Sequence, residues 1–270
     1  SLLLINVCSM IKLYKTLKGE FRPVGIFVLL ICLTTAAYAA PMSGNYTINK
    51  SIASSSTNFT SFQSLFSALA SNGVDGAVIV DVSNGPYTEQ VSANAISGAS
   101  ATNTITINGN GQTLRYTATS SSNRHTFRFA GADWVTLKDL TVEALGTTYA
   151  WGIRLYNNSD HNTIDGCTVR VPNVTSTSSL NSVGIVATSS TTSTSGISNN
   201  CKYLTVQNSV VTGGTSYGPY YGIRINAQSS NTTVSGIKLI NNTIKNFYIY
   251  GNYFYNCNDL LFEGNKFTPI

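Results

Sequence analysis

A short pattern of alternating apolar residues returns along this chain at intervals of roughly 20 to 45 residues. Each copy has an apolar residue, any residue and a second apolar residue, then a bend of Gly, Asn or Asp and a closing apolar or small position. The copies are V-T-L-K-D-L-T-V from Val135, N-T-I-D-G-C-T-V from Asn162, L-T-V-Q-N-S-V-V from Leu204, I-K-L-I-N-N-T-I from Ile237 and L-L-F-E-G-N-K-F from Leu260, with weaker copies from Val78 and Ile105. Because the unit is a period-two strand, each copy buries its apolar side by stacking on its neighbours. The chain is therefore predicted to be all-β and to fold as a right-handed parallel β-helix.

Aligning the copies predicts one sheet and the side chains on its two faces. The strands are 78–82, 105–107, 135–137, 163–165, 204–206, 237–239 and 260–262. The side chains expected to stack inside are Ile107, Leu137, Ile164, Val206, Leu239 and Phe262. On the outer face, Thr106, Thr136, Thr163 and Thr205 form a predicted threonine column, and Lys138 and Asp165 form an expected exposed ion pair. The residues expected at the following bend, where left-handed backbone is tolerated, are Asp139, Gly166, Asn208, Asn241 and Gly264.

The composition is typical of a β-solenoid and excludes one class of partner. Only 10% of residues are charged, against about 25% in ordinary globular domains. The formal net charge is +5, but four of the sixteen Lys and Arg and one of the eleven Asp and Glu lie before residue 40. The remaining residues carry 12 − 10 = +2, so no nucleic acid partner is expected.

Residues 1–39 are predicted to be an upstream leader followed by a signal peptide. A basic stretch begins at Met10, residues 26–37 are apolar, and Ala37-Tyr38-Ala39 has the small–x–small pattern of a cleavage site. We place cleavage after Ala39, which predicts a secreted or outer-surface protein with no membrane span. The apolar stretch is shorter than the roughly 20 residues of a spanning helix, and an uncleaved anchor is the alternative. Residues 40–270 are the predicted β-helix domain, which we expect to be truncated at its C-terminus because it ends directly after a coil.

An amphipathic helix is predicted over residues 60–72. Phe62, Leu65, Phe66 and Leu69 have helical spacing, Thr60 or Ser61 can cap the start, and Gly73 can end it. The first coil of a solenoid exposes an open core and unpaired strand edges. The helix is therefore predicted to be the N-terminal cap of the β-helix.

Three cysteines follow the predicted signal peptide. Cys201 and Cys257 occupy equivalent corner positions, but Val234 of the intervening coil separates them, so no disulfide is expected. Their spacing, together with that of Cys167, matches no zinc pattern. All three are predicted to be buried thiols, and no metal site or cofactor is predicted.

A second ladder of strands is predicted between the copies of the first. The strands are 127–129, 153–155, 185–187, 223–225 and 249–250, and the Ser/Thr-rich stretch 172–200 is one coil of this ladder with two loops. This alignment places Arg128, Arg154 and Arg224 outward on one face. Nearby aromatic residues are Tyr149, Trp151, Tyr156, Tyr217, Tyr220, Tyr221, Tyr248, Tyr250 and Tyr253.

This face is a candidate groove for an acidic polysaccharide or cell-surface glycan. Guanidinium groups bind carboxylate and sulfate through paired hydrogen bonds, and flat aromatic rings can cover sugar faces. The residues chosen as contacts are Arg154, Arg224, Trp151, Tyr156, Tyr220 and Tyr221. The alternative is an ordinary outer face whose arginine stems cover apolar surface.

The repeat, the Asn-Cys corner and the helix cap resemble the pectin-lyase-like right-handed β-helix superfamily over nearly all of residues 40–270. Residues 43–150 are similar to a narrower group of large secreted bacterial surface proteins that commonly end in a type IX secretion sorting domain. The strings that carry this similarity are S-G-N-Y-T-I-N from Ser43, F-T-S-F-Q-S-L-F-S-A-L from Phe59, N-G-V from Asn72, G-P-Y-T-E-Q from Gly85 and I-S-G-A-S-A-T-N-T-I-T from Ile96. The resemblance implies a surface protein, and these strings contain no catalytic residue of the superfamily.

Catalysis in the superfamily uses calcium-binding carboxylates with an arginine base, or several aspartates on adjacent coils. Here Asp165 and Glu263 are the acidic residues of the first-strand face, three coil intervals apart. With strands about 4.8 Å apart they lie roughly 14 Å from each other, beyond the roughly 5–10 Å of glycosidase carboxyl pairs. Asp160-His161 is interpreted as a solvated corner and His125 as a loop residue. No catalytic residue is predicted.

Three function classes stay open. The first is a noncatalytic, adhesin-like or carbohydrate-binding surface protein. The second is a polysaccharide lyase or glycoside hydrolase whose catalytic coils lie outside this chain. The third is ice binding, suggested by the threonine column, although Asn, Lys, Asp and Gln occupy the column beside it.

Overall fold

The computed structural model describes residues 40–196, 201–215, 217–227 and 234–270. The predicted leader and signal peptide lie outside these residues and stay a prediction. In chain order the elements are β1 (Met42–Asn49), β2 (Asn58–Phe59), α1 (Phe62–Asn72), β3 (Val74–Ser83), β4 (Tyr87–Thr88), β5 (Val91–Asn94), β6 (Ile105–Asn108), β7 (Thr113–Tyr116), β8 (His125–Ala130), β9 (Val135–Lys138), β10 (Thr141–Ala144), β11 (Ala150–Tyr156), β12 (Thr163–Asp165), β13 (Thr168–Val171), β14 (Ser182–Ala187), β15 (Thr205–Gln207), β16 (Val210–Gly213), β17 (Tyr221–Asn226), β18 (Ile237–Ile240), β19 (Thr243–Phe247), β20 (Tyr250–Tyr255), β21 (Leu260–Glu263) and β22 (Lys266–Pro269).

The strands form three parallel sheets that follow one another around each coil. The first sheet has the order β2-β1-β3-β6-β9-β12-β15-β18-β21, the second β4-β7-β10-β13-β16-β19-β22 and the third β5-β8-β11-β14-β17-β20. From β3 onward, the neighbours in each sheet are strands of successive coils, whereas β1 lies between β2 and β3. The predicted fold, a right-handed parallel β-helix, is confirmed.

The predicted inward column of the first sheet is also confirmed. Strand pairing aligns Ile107 with Leu137, Leu137 with Ile164, and onward through Val206 and Leu239 to Phe262. The first five side chains are 0% exposed. Phe262 lies on the last strand of the sheet and is 43% exposed, so its predicted burial is wrong.

The sequence repeat spans two sheets rather than one. A single left-handed bend follows each strand of the first sheet, with φ values of 48° at Asp139, 63° at Gly166, 51° at Asn208, 54° at Asn241 and 62° at Gly264. After this bend the closing residues of each copy enter the second sheet, where Val142, Val169, Val211 and Ile244 stack in register. The second sheet was not predicted, because a bend of one residue leaves the apolar alternation almost unbroken.

Helix α1 begins and ends where the sequence predicts and covers one end of the solenoid. Ser61 is its N-cap and Gly73 its C-cap, and its four predicted apolar residues are buried. The Glu89 carboxylate accepts hydrogen bonds from the backbone N–H groups of Phe62 (2.9 Å) and Gln63 (3.0 Å). The Gln63 side chain in turn accepts one from the N–H of Ser92 on β5 (2.8 Å), the edge strand of the third sheet. The contact between Gln63 and Ser92 occupies part of an otherwise unpaired strand edge.

Glycines recur where the third sheet approaches the second. Gly152, Gly184, Gly222 and Gly251 occupy successive coils, and a Cβ on Gly184 would lie 2.5 Å from the carbonyl oxygen of Gly222. The same Cβ would collide with the side chain of Val211 in the second sheet. The glycines are therefore required by close packing between the two sheets.

The burial of the three cysteines depends on their position along the solenoid. Cys167 and Cys201 are buried thiols as predicted, whereas Cys257 is only partly buried because it lies near the end of the solenoid. The bridge between Val234 and Cys257 places Val234 on the neighbouring coil.

Within the ranges given above, the structure contains no helix with the length and apolar character needed to cross a membrane.

Candidate functional site

The outward side of the third sheet carries two columns of side chains, which we call the arginine–tyrosine face. The arginine column consists of Ser92, Arg128, Arg154, Val186, Arg224 and Tyr253 in register. The tryptophan column beside it consists of His125, Trp151, Val183, Tyr221 and Tyr250. Neither column contains an acidic residue. The arginines of the arginine column therefore have no carboxylate neighbour along the sheet.

The outward direction of the three arginines is as predicted, but one strand was aligned wrongly. Tyr253 pairs with Arg224, and Tyr250 pairs with Tyr221, so residues 249–250 are not the equivalent of 223–225. The equivalent string is Asn252-Tyr253-Phe254. Because Asn252 replaces an apolar residue at the inward position, the alternation did not reveal the register.

Loop 188–196 covers the middle of this face. Arg154 is 1% exposed and Arg224 is 8% exposed, so both guanidinium groups are covered although their strands direct them outward. Asn226 Nδ2 donates a hydrogen bond to Thr194 O, and Thr188 Oγ1 donates one to Ser193 O (2.9 Å). The loop is thereby fixed both to the sheet and to itself.

The guanidinium group of Arg154 binds loop 188–196 and packs on Tyr156. Its Nε donates to Thr188 O (3.3 Å) and its Nη2 to Ser189 O (2.9 Å). Its guanidinium lies 4.3 Å from the ring centroid of Tyr156, a favourable cation–π arrangement. Burial is the main cause that lowers the pKa of Arg154 to about 10, which leaves the side chain charged at neutral pH. Arg154 is therefore a buried cation that anchors the loop.

Arg224 lies between two tyrosine rings. Its guanidinium carbon is 4.5 Å from the ring centroid of Tyr221 and 4.9 Å from that of Tyr253. Nε donates to Asn226 Oδ1 (3.1 Å) and Nη1 to Thr194 Oγ1 (3.1 Å). Burial lowers the pKa of Arg224, and the neighbouring tyrosine hydroxyls oppose this effect. Within the described part of the chain no carboxylate forms a salt bridge with it.

Trp151 and Tyr156, both chosen from the sequence, differ in accessibility. Trp151 is 1% exposed, and its Nε1 donates to Leu180 O (3.2 Å) in the other loop of the long coil. The guanidinium of Arg124 lies 5.5 Å from the Trp151 ring. Tyr156 is half-buried, with Arg128 at 5.6 Å and Arg154 at 4.3 Å from its ring. Trp151 is thus a packing residue, whereas Tyr156 keeps a partly open surface.

An aromatic cluster at the C-terminal end of the face is accessible. We call it the tyrosine patch; it consists of Tyr217, Tyr220, Tyr221, Tyr248, Tyr250 and Tyr253. The ring centroids are 6.4 Å apart for Tyr217–Tyr248, 5.9 Å for Tyr220–Tyr248, 6.2 Å for Tyr220–Tyr250, 4.8 Å for Tyr220–Tyr221, 5.4 Å for Tyr221–Tyr250 and 5.5 Å for Tyr250–Tyr253. The most open rings, Tyr217, Tyr248 and Tyr250, are 42%, 40% and 41% exposed. From the sequence, these three tyrosines are predicted to lie near the arginines, but they are not among the six residues predicted to contact a glycan.

A stack of aromatic rings at the corner before the first sheet was missed. Trp134 and His161 are parallel at 3.9 Å between ring centroids, and His161 and Tyr203 lie 4.4 Å apart. All three have left-handed backbone, with φ of 58°, 57° and 55°. Bulky side chains rarely adopt this conformation, so this stack could not be predicted from the residue types alone. His161 therefore packs between two rings rather than standing in solvent as predicted.

Aspartates beside this stack bind the backbone of neighbouring coils. Asp133 Oδ1 accepts from the N–H of Asp160 (2.7 Å), and Asp160 Oδ1 accepts from the N–H of Lys202 (2.7 Å). Burial is the main cause that raises the pKa of both carboxyl groups. These contacts give Asp133 and Asp160 a structural role at the corner.

Asp165 and Glu263 are three strand intervals apart on the first-strand face, as predicted. A third acidic residue of this face, Asp81, was not counted; it lies three intervals from Asp165, through Asn108 and Lys138. Between Asp165 and Glu263 the register passes through Gln207 and Ile240. Lys138 is in register with Asp165, but no salt bridge joins these two described residues. Asp165 Oδ1 accepts from Asn208 Nδ2 (2.9 Å), so the predicted ion pair is wrong. No cluster of three or more His, Cys, Asp or Glu suited to a metal ion occurs in the described ranges.

His125 lies at the start of β8 rather than in a loop. Its side chain is 2% exposed, and no described residue offers a hydrogen-bond partner to its Nε2. Burial lowers its pKa to about 3, and the charges of Arg128 and Arg154 add to this effect. His125 is therefore neutral at physiological pH.

No protein-family model matches the chain, and no curated protein matches it. Among solved structures it is similar to PfbA, a surface adhesin of Streptococcus pneumoniae, with 16% identity and a TM-score of 0.46 over 72% of this chain and 51% of that chain. An alginate lyase from Paenibacillus sp. is 14% identical, with a TM-score of 0.35 over 76% of this chain and 94% of that chain. A pectin methylesterase from Aspergillus niger is 12% identical, with a TM-score of 0.38 over 85% of this chain and 88% of that chain.

These similarities concern the fold alone. The chain spans about half the length of the adhesin chain. One of the three proteins is an adhesin and two are enzymes, so they do not choose between binding and catalysis. The narrower resemblance to surface proteins with a type IX sorting domain stays a prediction.

Proposed function

We propose that this chain is a noncatalytic, adhesin-like protein of the cell surface or extracellular medium that binds an acidic polysaccharide or cell-surface glycan. The observation that carries the proposal is the arginine–tyrosine face, where an open cluster of tyrosines adjoins cations that have no acidic neighbour in either column. The proposed region includes the six residues chosen from the sequence, Arg154, Arg224, Trp151, Tyr156, Tyr220 and Tyr221.

The chemistry of this face favours an anionic sugar polymer. Buried charges are ordinarily paired with an opposite charge, yet hydroxyl, amide and carbonyl oxygens surround Arg154 and Arg224. Their charge therefore stays uncompensated and attracts anions to the adjoining surface. Tyrosine provides a broad apolar ring and a hydroxyl group, which suits the mixed apolar and polar faces of a sugar.

The alternative is a polysaccharide lyase or glycoside hydrolase whose catalytic coils lie outside this chain. Such an enzyme needs calcium ligands or a pair of carboxyl groups at a set separation. The wide spacing of Asp165 and Glu263 favours the noncatalytic function for residues 40–270. Ice binding is disfavoured by Lys138 and Asp165, which lie beside the regular threonine column.

The proposal is tested by the binding of residues 40–270 to immobilised polygalacturonate, alginate and heparin, with dextran as the neutral control. We expect retention by at least one acidic polymer and none by dextran. Binding should weaken as sodium chloride rises, because the ligand carries its charges in solvent, where salt screens their attraction to the arginines. Equal retention by dextran, or retention that salt does not change, would contradict the proposal.

A further inference from the structure

The tyrosine patch has features of a contact surface that the covered middle of the face lacks. Three of its rings are about two-fifths exposed, whereas the donors of Arg154 already bind the carbonyl groups of loop 188–196. A ligand can therefore reach the tyrosines without displacing any described segment. At Arg154 it would have to displace the loop.

The rings of the patch form a continuous row. From Tyr217 through Tyr248, Tyr220 and Tyr250 to Tyr253, successive centroids are 6.4, 5.9, 6.2 and 5.5 Å apart. This spacing is close to that of successive sugar rings along a polysaccharide. The rings are tilted by different angles, from 47° to 67° between neighbours in the row, so the surface is stepped rather than flat. A twisted sugar chain presents its rings in a similarly stepped way.

A positive charge lies beneath the Tyr253 end of the row. Arg224 is in contact with the rings of Tyr221 and Tyr253 and is itself 8% exposed. Its Nε and Nη1 groups donate to Asn226 Oδ1 and Thr194 Oγ1, which are uncharged oxygens. A cation under aromatic rings polarises them and attracts negative charge at the surface above them, and salt in the solvent above the rings screens part of this attraction. The patch therefore combines ring stacking with attraction for an anion.

We propose that the tyrosine patch is the contact surface for an anionic polysaccharide of pyranose rings bearing carboxylate or sulfate groups, with Arg224 acting from beneath as a positioning residue. This inference rests on the proposed function and narrows it. Sugar faces stack on Tyr248, Tyr250 and Tyr217, which the sequence did not select. Trp151 and Arg154 support the adjoining loops without touching the ligand.

The decisive variant is the double substitution Tyr248→Ala with Tyr250→Ala. Both side chains are about two-fifths exposed and lie outside the buried core, so their loss leaves the core intact. The matched control is Tyr203→Ala, a tyrosine of similar exposure (47%) at the ring stack on another side of the solenoid. With polygalacturonate, alginate and heparin as probes, we expect the double variant to bind the retained polymer at least tenfold more weakly. Tyr203→Ala should bind within twofold of the unsubstituted protein, and thermal unfolding should show all three proteins folded.

Arg224 is tested by its effect on salt dependence. Arg224→Gln removes the charge, and we expect it to flatten the fall in affinity with sodium chloride. Arg224→Lys keeps the charge and should restore the slope, which a merely structural role would not produce. Melting curves of both variants show whether loop 188–196 stays in place.

The possible outcomes separate the two proposals. Unchanged binding by the double tyrosine variant, with the unsubstituted protein retained on an acidic polymer, overturns this inference and leaves the proposed function standing. An unsubstituted protein that binds none of the probes overturns both. Self-association that the double variant abolishes, without any polymer binding, identifies the patch as an interface between copies of the chain and also overturns both.

Discussion

Leu137→Asp is expected to abolish the cooperative fold of residues 40–270. Leu137 is fully buried and stacks between Ile107 and Ile164 in the first sheet. An ionised carboxylate placed there has no partner, and burying a polar group without a hydrogen bond costs about 2–7 kcal/mol, with more for a charge. Since whole domains are stable by about 5–15 kcal/mol, a single such change removes most of the stability. Circular dichroism and limited proteolysis should show loss of the β-sheet signal and of protease resistance.

The matched control is Thr136→Asp, one position away on the outer face. Thr136 is only partly buried and pairs with Thr106 and Thr163, so a carboxylate there stays hydrated. Its effect should be within about 1 kcal/mol. If the two variants melt at the same temperature, the assignment of the inner and outer faces is wrong.

The stability of the protein should fall on acidification because of His125. Its pKa drops from 6.5 to about 3 on folding, first through burial and then through Arg128 and Arg154. Above pH 6.5 both the folded and the unfolded states hold neutral imidazole, and the full stability is present. Between pH 6.5 and 3 the unfolded state binds a proton that the folded state does not. The free energy of unfolding should therefore decrease by about 1.4 kcal/mol for each pH unit over this window.

Three carboxyl groups act in the opposite direction, and a substitution separates the effects. Burial raises the pKa of Glu89, Asp133 and Asp160, so folding favours their protonation and acid adds stability through them. His125→Gln keeps these groups and removes the imidazole. Urea unfolding at pH 7.5, 5.5 and 4.5 should show a steeper loss for the natural protein than for His125→Gln. Parallel pH curves would mean that His125 is not buried in its neutral form.

The first sheet could be predicted from the sequence because its signal is local and repeated. Strands of period two return with the same bend, so Leu137, Ile164 and Val206 aligned correctly without any structure. The second sheet was merged with the first, because only one left-handed residue, such as Asp139 or Asn208, separates the two. Apolar residues continue to alternate with a period of two across a one-residue bend, so the pattern does not show that the chain has turned into a second sheet.

The candidate site was only partly predictable. Alternation correctly assigned an outward direction to Arg154 and Arg224, but burial on the outer face depends on loop 188–196, whose path follows from tertiary contacts. No period in the sequence records that Thr188 and Thr194 meet the two arginines. The tyrosine patch was likewise hidden, since its members come from two strands and the turns before them. Only the correct register of Tyr250 and Tyr253 brings them together.

Binding and turnover measured in one sample test the central claim of a noncatalytic glycan-binding face most directly. Residues 40–270 would be incubated with polygalacturonate or alginate, with and without calcium. Retention would be followed together with the release of unsaturated and reducing ends. We predict retention on the polymer and no release of either kind of end, since the described carboxylates of the first-strand face are too far apart to act together. Turnover that a single Asp or Glu substitution abolishes would contradict this account.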